Sequence, residues 1–197
     1  MSIVLFLGKD VNEYKEKSLD IIKNAINNER LLCEYESTPL KIHLHYTRKI
    51  KYGANKSNEA KIEIYFLICK ECKRPHGHAL IPDFLSPYKQ YSADEIESVI
   101  IDSATQPVNE IDTEASESTV KRWIKQVGSR IIRAISVLKA NFMELGQLIT
   151  EVMITPGHCY SELEQLLEMA PGILKYGGNK LGLANIWISR QNRRMYI

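Results

Sequence analysis

Two thiols three positions apart, Cys69-Lys-Glu-Cys72, follow directly on the apolar run Ile62-Glu-Ile-Tyr-Phe-Leu-Ile68. A strand that runs into a C-x-x-C turn lets both sulfurs face one tetrahedral ion at about 2.3 Å, which is one half of a structural zinc site. The other half is expected upstream. There Cys33-Glu-Tyr-Glu36 keeps the spacing but carries a carboxylate where the second thiol would stand. Cys33, Cys69 and Cys72 are therefore the predicted thiolate ligands of a Zn2+. Glu36, His43, His45, His76 and His78 compete for the fourth place. Glu36 has the knuckle spacing, and His76 stands four residues beyond Cys72. A closed shell of four ligands predicts a metal that stabilises the fold and does no catalysis. The alternative is a degenerate, metal-free hairpin. A redox dithiol would need a helix N-terminus to depress a thiol pKa, and none is predicted here.

The second constellation is basic. On a helix over Glu117–Val127, the residues Val120, Trp123, Ile124 and Val127 share one face and are expected in the core. The opposite face carries Ser118, Thr119, Lys121, Arg122, Lys125 and Gln126. Short hydroxyls approach phosphates or base edges, and Lys and Arg contact phosphate or guanine. From Glu117 to Lys139, six cations (Lys121, Arg122, Lys125, Arg130, Arg133 and Lys139) stand against Glu117 alone. That is a local charge of +5 in a chain of net charge +2. Such clustering is the electrostatic footprint of double-stranded DNA binding. The bland reading is a solvated helix face. Arg190, Arg193 and Arg194 near the C-terminus form a secondary phosphate clamp in the same reading.

No enzymatic arrangement competes with these. The His and acidic residues lack zincin spacing, and there is no Gly-rich phosphate loop. Asp83, Asp94, Asp102 and Asp112 are not spaced as an acidic triad. Gly177-Gly178-Asn179-Lys180 reads as a turn, and the neighbours His158 and Cys159 are expected to point apart. The expectation is a binding protein, not an enzyme.

The elements that must position these residues follow from periodicity. Met1-Ser-Ile-Val-Leu-Phe-Leu7 reads as a strand. A helix then begins at the N-cap Asp10 and carries the stripe Tyr14, Leu19, Ile21, Ile22, Ala25 and Ile26. Lys41-Ile-His-Leu-His-Tyr46 and Lys61-Ile-Glu-Ile-Tyr65 alternate with period two around turn chemistry at Tyr52–Asn58, so a hairpin lies between the two knuckles. Pro75, Pro82 and Pro87 predict an extended connector, with Tyr65, Phe66, Phe84, Tyr88 and Tyr91 packing it onto the helices. A minority reading makes His43, His45, Tyr46, Arg48, Lys49 and Lys51 an exposed stacking platform for single strands.

Ser92, with Glu95 three places on, caps the next helix through Ile96, Val99 and Ile100. Residues 103–115 read as a loop or short helix. A helix over 116–128 ends near Gly128. A longer amphipathic helix over 129–149 follows, with Ile131, Ile135, Leu138, Phe142 and Leu145 at spacings of three and four. The 129–149 helix also offers a surface for a second copy of the chain or another partner. A further helix is expected at Ser161–Ala170. Turns at Pro171-Gly172 and Gly177-Gly178 and a basic tail come last.

At 197 residues, 44% apolar and 25% charged, the composition is that of a globular protein. No apolar run approaches the roughly 20 residues that span a bilayer. The opening residues are too short for a signal segment, and four cysteines without one predict free or metal-bound thiols in the cytoplasm.

The run Cys69-Lys-Glu-Cys72-Lys-Arg-Pro-His76, then Leu80-Ile-Pro-Asp-Phe-Leu-Ser-Pro-Tyr-Lys-Gln-Tyr91 and Glu117-Ser-Thr-Val-Lys-Arg-Trp123, resembles a family of small bacterial proteins of unknown function. Their pattern is a zinc ribbon, an "LPDFL-PY" connector and a helix-turn-helix ending in "ST-RW". They are similar to the N-terminal DNA-binding regions of insertion-sequence transposases. The resemblance covers about residues 1–130 and implies DNA binding without strand transfer, as a regulator or accessory factor of a mobile element. The family's first knuckle has a full C-x-x-C, where this chain has Cys33 and Glu36. The expected architecture is α+β. A zinc-ribbon-like module over 1–90 precedes a helical region over 91–197 that contains the helix-turn-helix. The competing expectation is a metal-free protein–protein interaction module derived from a transposon protein.

Overall fold

Alternating residues and a capped stripe open the chain as expected in the computed structural model, which describes residues 2–52, 58–73, 76–87, 89–144, 159–169 and 178–191. Strand β1 (Ser2–Leu5) leads to helix α1 (Val11–Asn27). Asp10 is the N-cap: its carboxylate accepts from the amides of Asn12 at 2.8 Å and Glu13 at 2.9 Å. Gly8, at φ +146°, makes the turn between them. A Cβ there would lie 2.8 Å from the Tyr14 nitrogen, so the strand and helix could not stay this close with a larger residue.

Strands β2 (Lys41–Tyr52) and β3 (Asn58–Ile68) form the expected antiparallel hairpin, with an irregularity between Ile42 and Leu44. What that hairpin joins was not expected. Strand β4 (Gly77–Pro82) pairs antiparallel with β3 and parallel with β1, giving a four-stranded mixed sheet of order β1-β4-β3-β2. The segment read as an extended connector is thus an interior strand. Its apolar stretch is short and ends in Pro82, where a missing amide donor interrupts the ladder least. Of the other two prolines, Pro75 lies outside the described residues. The hairpin expected between the two knuckles is therefore one edge of a larger sheet. Register puts Val4 beside Ile81 on one face, and Ile3, Leu80 and Tyr65 together on the other. Helix α1 packs through Tyr14, whose hydroxyl donates to the Glu63 carbonyl and whose ring meets Phe84 edge-on at 5.6 Å.

Helix α2 (Ala93–Asp102) is capped by the Ser92 hydroxyl, which accepts from the Glu95 amide at 3.3 Å. A single 3-10 turn, Val108–Glu110, interrupts the following loop. Helix α3 (Glu117–Glu144) is one continuous element where two were expected. Gly128 does not end it, because Val127 and Ile131 on either side are buried in one core that holds both turns. Helix α4 (Cys159–Glu168) lies within two residues of its expected bounds. Helix α5 (Lys180–Gln191) fills a stretch where no helix was expected; the Pro171-Gly172 turn, Gly177 and the tail beyond Gln191 lie outside the described residues. From Leu181 to Ser189 every described residue except Gly182 carries a buried side chain, and Gly182 is itself buried. A helix surrounded by protein needs no polar face, so its sequence shows no stripe.

Two apolar clusters result. The helical one gathers Trp123, Phe142, Leu166 and Trp187 with their neighbours; Phe142 and Trp187 stack edge-on at 5.2 Å, and Trp123 meets Tyr91 at 4.9 Å. The sheet cluster joins both sheet faces to α1 and takes in Ile186 from α5. Helix α5 links the two. The Val4 amide donates to the Ser189 hydroxyl at 3.2 Å, and a Cβ on Gly182 would stand 2.2 Å from the Asp83 carbonyl oxygen. Among the described residues, no helix is long and apolar enough to cross a membrane.

Candidate metal centre and basic face

Both predicted knuckles are turns that aim sulfur inward. Residues 31–40 form a small hairpin closed by a Leu32–Pro39 bridge and by the Leu40 amide on the Leu31 carbonyl at 2.8 Å. Within it the Cys33 amide donates to the Thr38 carbonyl at 2.8 Å and the Ser37 amide to the Cys33 carbonyl at 3.0 Å. Ser37 takes φ +53°, which turns the chain back on itself. The Tyr35 amide points at the Cys33 sulfur from 3.5 Å. The second turn, between β3 and β4, directs the amides of Glu71 and Cys72 at the Cys69 sulfur.

Cys33, Cys69 and Cys72 are all buried, with their sulfurs within 4.8 Å of one another, and the Cys33–Cys72 pair is 3.5 Å apart. Tetrahedral thiolates at 2.3 Å from one ion stand about 3.8 Å from each other. A disulfide would need about 2.05 Å, and these three thiols are free. The donor set therefore fits a metal ion. The Thr38 hydroxyl, 3.5 Å from the Cys69 sulfur, and the two backbone amides lower that thiol's pKa to about 7. Burial, followed by the neighbouring thiols of Cys33 and Cys69, raises Cys72 to about 12. A cation would favour all three thiolates together, releasing protons as it binds.

The fourth ligand is not decided by spacing. Glu36 holds the expected sequence position but is exposed, and it lies outside the metal-capable group. His76 is also outside that group; its ring lies against Tyr35, with centroids 4.7 Å apart. His43 and His45 are exposed on β2, and His45 faces Glu63 at 3.7 Å. His78 is buried in β4, paired with Leu67. Among the described residues, the group that could hold a metal ion is the three sulfurs of Cys33, Cys69 and Cys72.

The basic face is carried by the first half of α3. Val120, Trp123 and Val127 are buried and Ile124 packs at the cluster's margin, while Lys121, Arg122 and Lys125 are exposed. Ser118 and Thr119 are less free than their sequence suggests. The Ser116 hydroxyl contacts both of theirs at 3.0 Å and accepts from the Thr119 amide at 3.3 Å, so these groups cap the helix. Lys121 pairs with Glu117 at 3.4 Å. Of the predicted clamp, Arg190 belongs to α5, with its side chain outside what is described, and Arg193 and Arg194 lie outside the described residues. His158 and Leu145 do as well.

Sequence spacing missed one grouping. Asp83, Asp94 and Glu97 line one cavity of about 410 Å3 with Asn179, far away in sequence; Asp102 and Asp112 do not. Burial raises the pKa values of Asp94 and Glu97. Glu97 accepts from the Tyr160 hydroxyl and, at 3.1 Å, from the Leu181 amide at the start of α5. A helix start held by a carboxylate is visible only once α5 is known.

A family model described as a domain of unknown function (DUF6431) matches residues 33–123. The matched span begins at the first predicted thiolate and ends at Trp123, so it holds all three sulfurs and the exposed start of α3. No curated protein and no solved structure matches the chain. The likeness is to a domain of unknown function, and it carries no link to transposase DNA-binding regions.

Proposed function

We propose that this chain binds double-stranded DNA through the solvent face of α3, while a Zn2+ on Cys33, Cys69 and Cys72 stabilises the adjoining turns. In this reading α2 and α3 act as a long-looped helix-turn-helix, and the protein serves as a regulator or accessory factor related to mobile elements. The observation that carries it is the pairing of opposite faces on one helix. Arg122 and Lys125 project into solvent with no carboxylate in ion-pair range among the described residues, while Trp123 between them is buried in the helical core. A helix held that firmly presents cations in fixed register, as a groove-reading helix must. When bound, Zn2+ supplies cross-linking of the two turns; the reading assigns no catalytic step.

The test is fluorescence anisotropy with duplex DNA across a salt series. Affinity should fall steeply between about 50 and 200 mM salt, and Arg122→Ala should weaken binding by about 1–3 kcal/mol. Binding that ignores salt, or an Arg122→Ala protein as tight as the parent, rejects the reading.

A second reading has its own observation. Ile132 and Met143 are exposed on α3, 50% and 68%, and stand three turns apart on one side. That is where a protein partner or a second copy would dock along the 129–149 segment. Salt-insensitive self-association lost in Ile132→Glu would favour it over DNA binding.

A further inference from the structure

Beside β2 lies a cavity of about 370 Å3, between Tyr46, Arg48 and Lys49 of the strand and Lys89 and Gln90 of the segment leading to α2. Arg48 is partly buried there. One of its nitrogens donates to the Ser86 carbonyl at 3.2 Å, and burial lowers its pKa. A guanidinium carries five N–H donors and remains charged at every physiological pH. One carbonyl leaves most of them to be satisfied, and no carboxylate pairs with Arg48 among the described residues. Lys89 also lines the cavity, and its ammonium donates to the Gln126 side chain on α3. Arg122 and Arg130 stand one turn to either side of Gln126. After burial, they are what pulls the Lys89 pKa down. A strand cation, Arg48, and a loop cation, Lys89, thus line one cavity, and the two α3 arginines lie close enough to Lys89 to repel it. An anion between them would relieve both their repulsion and their lost hydration.

We infer that this cavity is a phosphate seat, in which Arg48 supplies a planar fork of donors, Lys89 a point charge and Tyr46 a ring at the rim. The fork suits bidentate contact with a phosphate, and the ammonium suits its remaining oxygen. The seat continues the α3 face through Gln126, so a strand lying along Arg122 would bring a backbone phosphate to it. Only the source of that phosphate rests on the DNA reading; the seat does not. The same chemistry would accept a free polyphosphate.

The experiment compares the full chain with Lys89→Met, Arg48→Met and, as a remote control on α1, Lys17→Met. Each is titrated with inorganic tripolyphosphate at low salt and with duplex DNA across a salt series. Both cavity variants should bind tripolyphosphate at least tenfold more weakly, with Lys17→Met unchanged. The DNA salt slope should also drop by about one for each cation removed. If Arg48→Met fails to fold, Lys89→Met carries the test alone. Weakened tripolyphosphate binding in a chain that never binds DNA upholds the seat, assigns it to a free phosphorylated ligand and rejects the DNA reading. Steep DNA binding by the parent, with both cavity variants indistinguishable from it for either probe, overturns the seat and leaves the DNA reading standing.

Discussion

In the sheet half, the turn that carries Glu34, Tyr35, Glu36 and Ser37 is exposed along its length and is pinned from beneath by Cys33. In the helical half, α3 is pinned by a row of large apolar side chains from Val120 to Phe142. The first is an arrangement of few, chemically specific contacts; the second is many interchangeable ones. A short hairpin buries little apolar surface, here Leu31, Cys33 and Leu40, so under the Zn2+ proposal ligation would add to packing there. A helix of 28 residues has enough apolar surface to need no such device. Losing one sulfur should therefore be felt through the whole thiol cluster, whereas losing one core side chain should cost roughly that side chain.

The largest effect tests the first arm. For protein purified with metal, a chelator or Cys69→Ser should lower thermal stability by several kcal/mol, on the scale of the ~10 kcal/mol of structural zinc sites. Hydrogen exchange should rise at the 31–40 hairpin and the end of β3 before it rises in α3. Equal exposure of both halves would dissolve the contrast. Next, Trp123→Ala should cost about 3–5 kcal/mol in denaturant unfolding, with or without chelator. Its cost should add to that of Cys69→Ser within about 0.5 kcal/mol if the halves are energetically separate. A larger coupling would show that α5, through Ile186 and the Ser189–Val4 bond, makes them one unit. Glu97→Ala should cost about 1–3 kcal/mol, because it strands the Leu181 amide and the Tyr160 hydroxyl. The smallest effect is a gain. A Cβ on Gly128 meets nothing within 4 Å, so Gly128→Ala should stabilise by about 0.5–1 kcal/mol in a continuous α3. A loss of stability there would mean that the helix breaks at Gly128 after all.

Periodicity and capping chemistry made β1, α1, the β2–β3 hairpin, the Ser92 cap and the buried stripe of α3 legible in advance, because each is set by neighbours within a few residues. The thiols were legible for the same reason: C-x-x-C after a strand has few other uses, and Cys33 was the upstream partner by spacing. The fourth donor was not legible. Where Glu36 and His76 end up depends on how two distant turns meet, and the first stays in solvent while the second lies against Tyr35.

Residue order by itself thus determined the local elements, the three sulfurs and the two faces of the α3 segment. Tertiary structure alone decided that β4 enters the sheet between β1 and β3, that α3 runs through Gly128 and that α5 is a buried helix. It also decided that Arg48 and Lys89 line one cavity. In each case the deciding contact joins residues far apart in sequence, so burial and charge accumulate at a place that no local pattern marks.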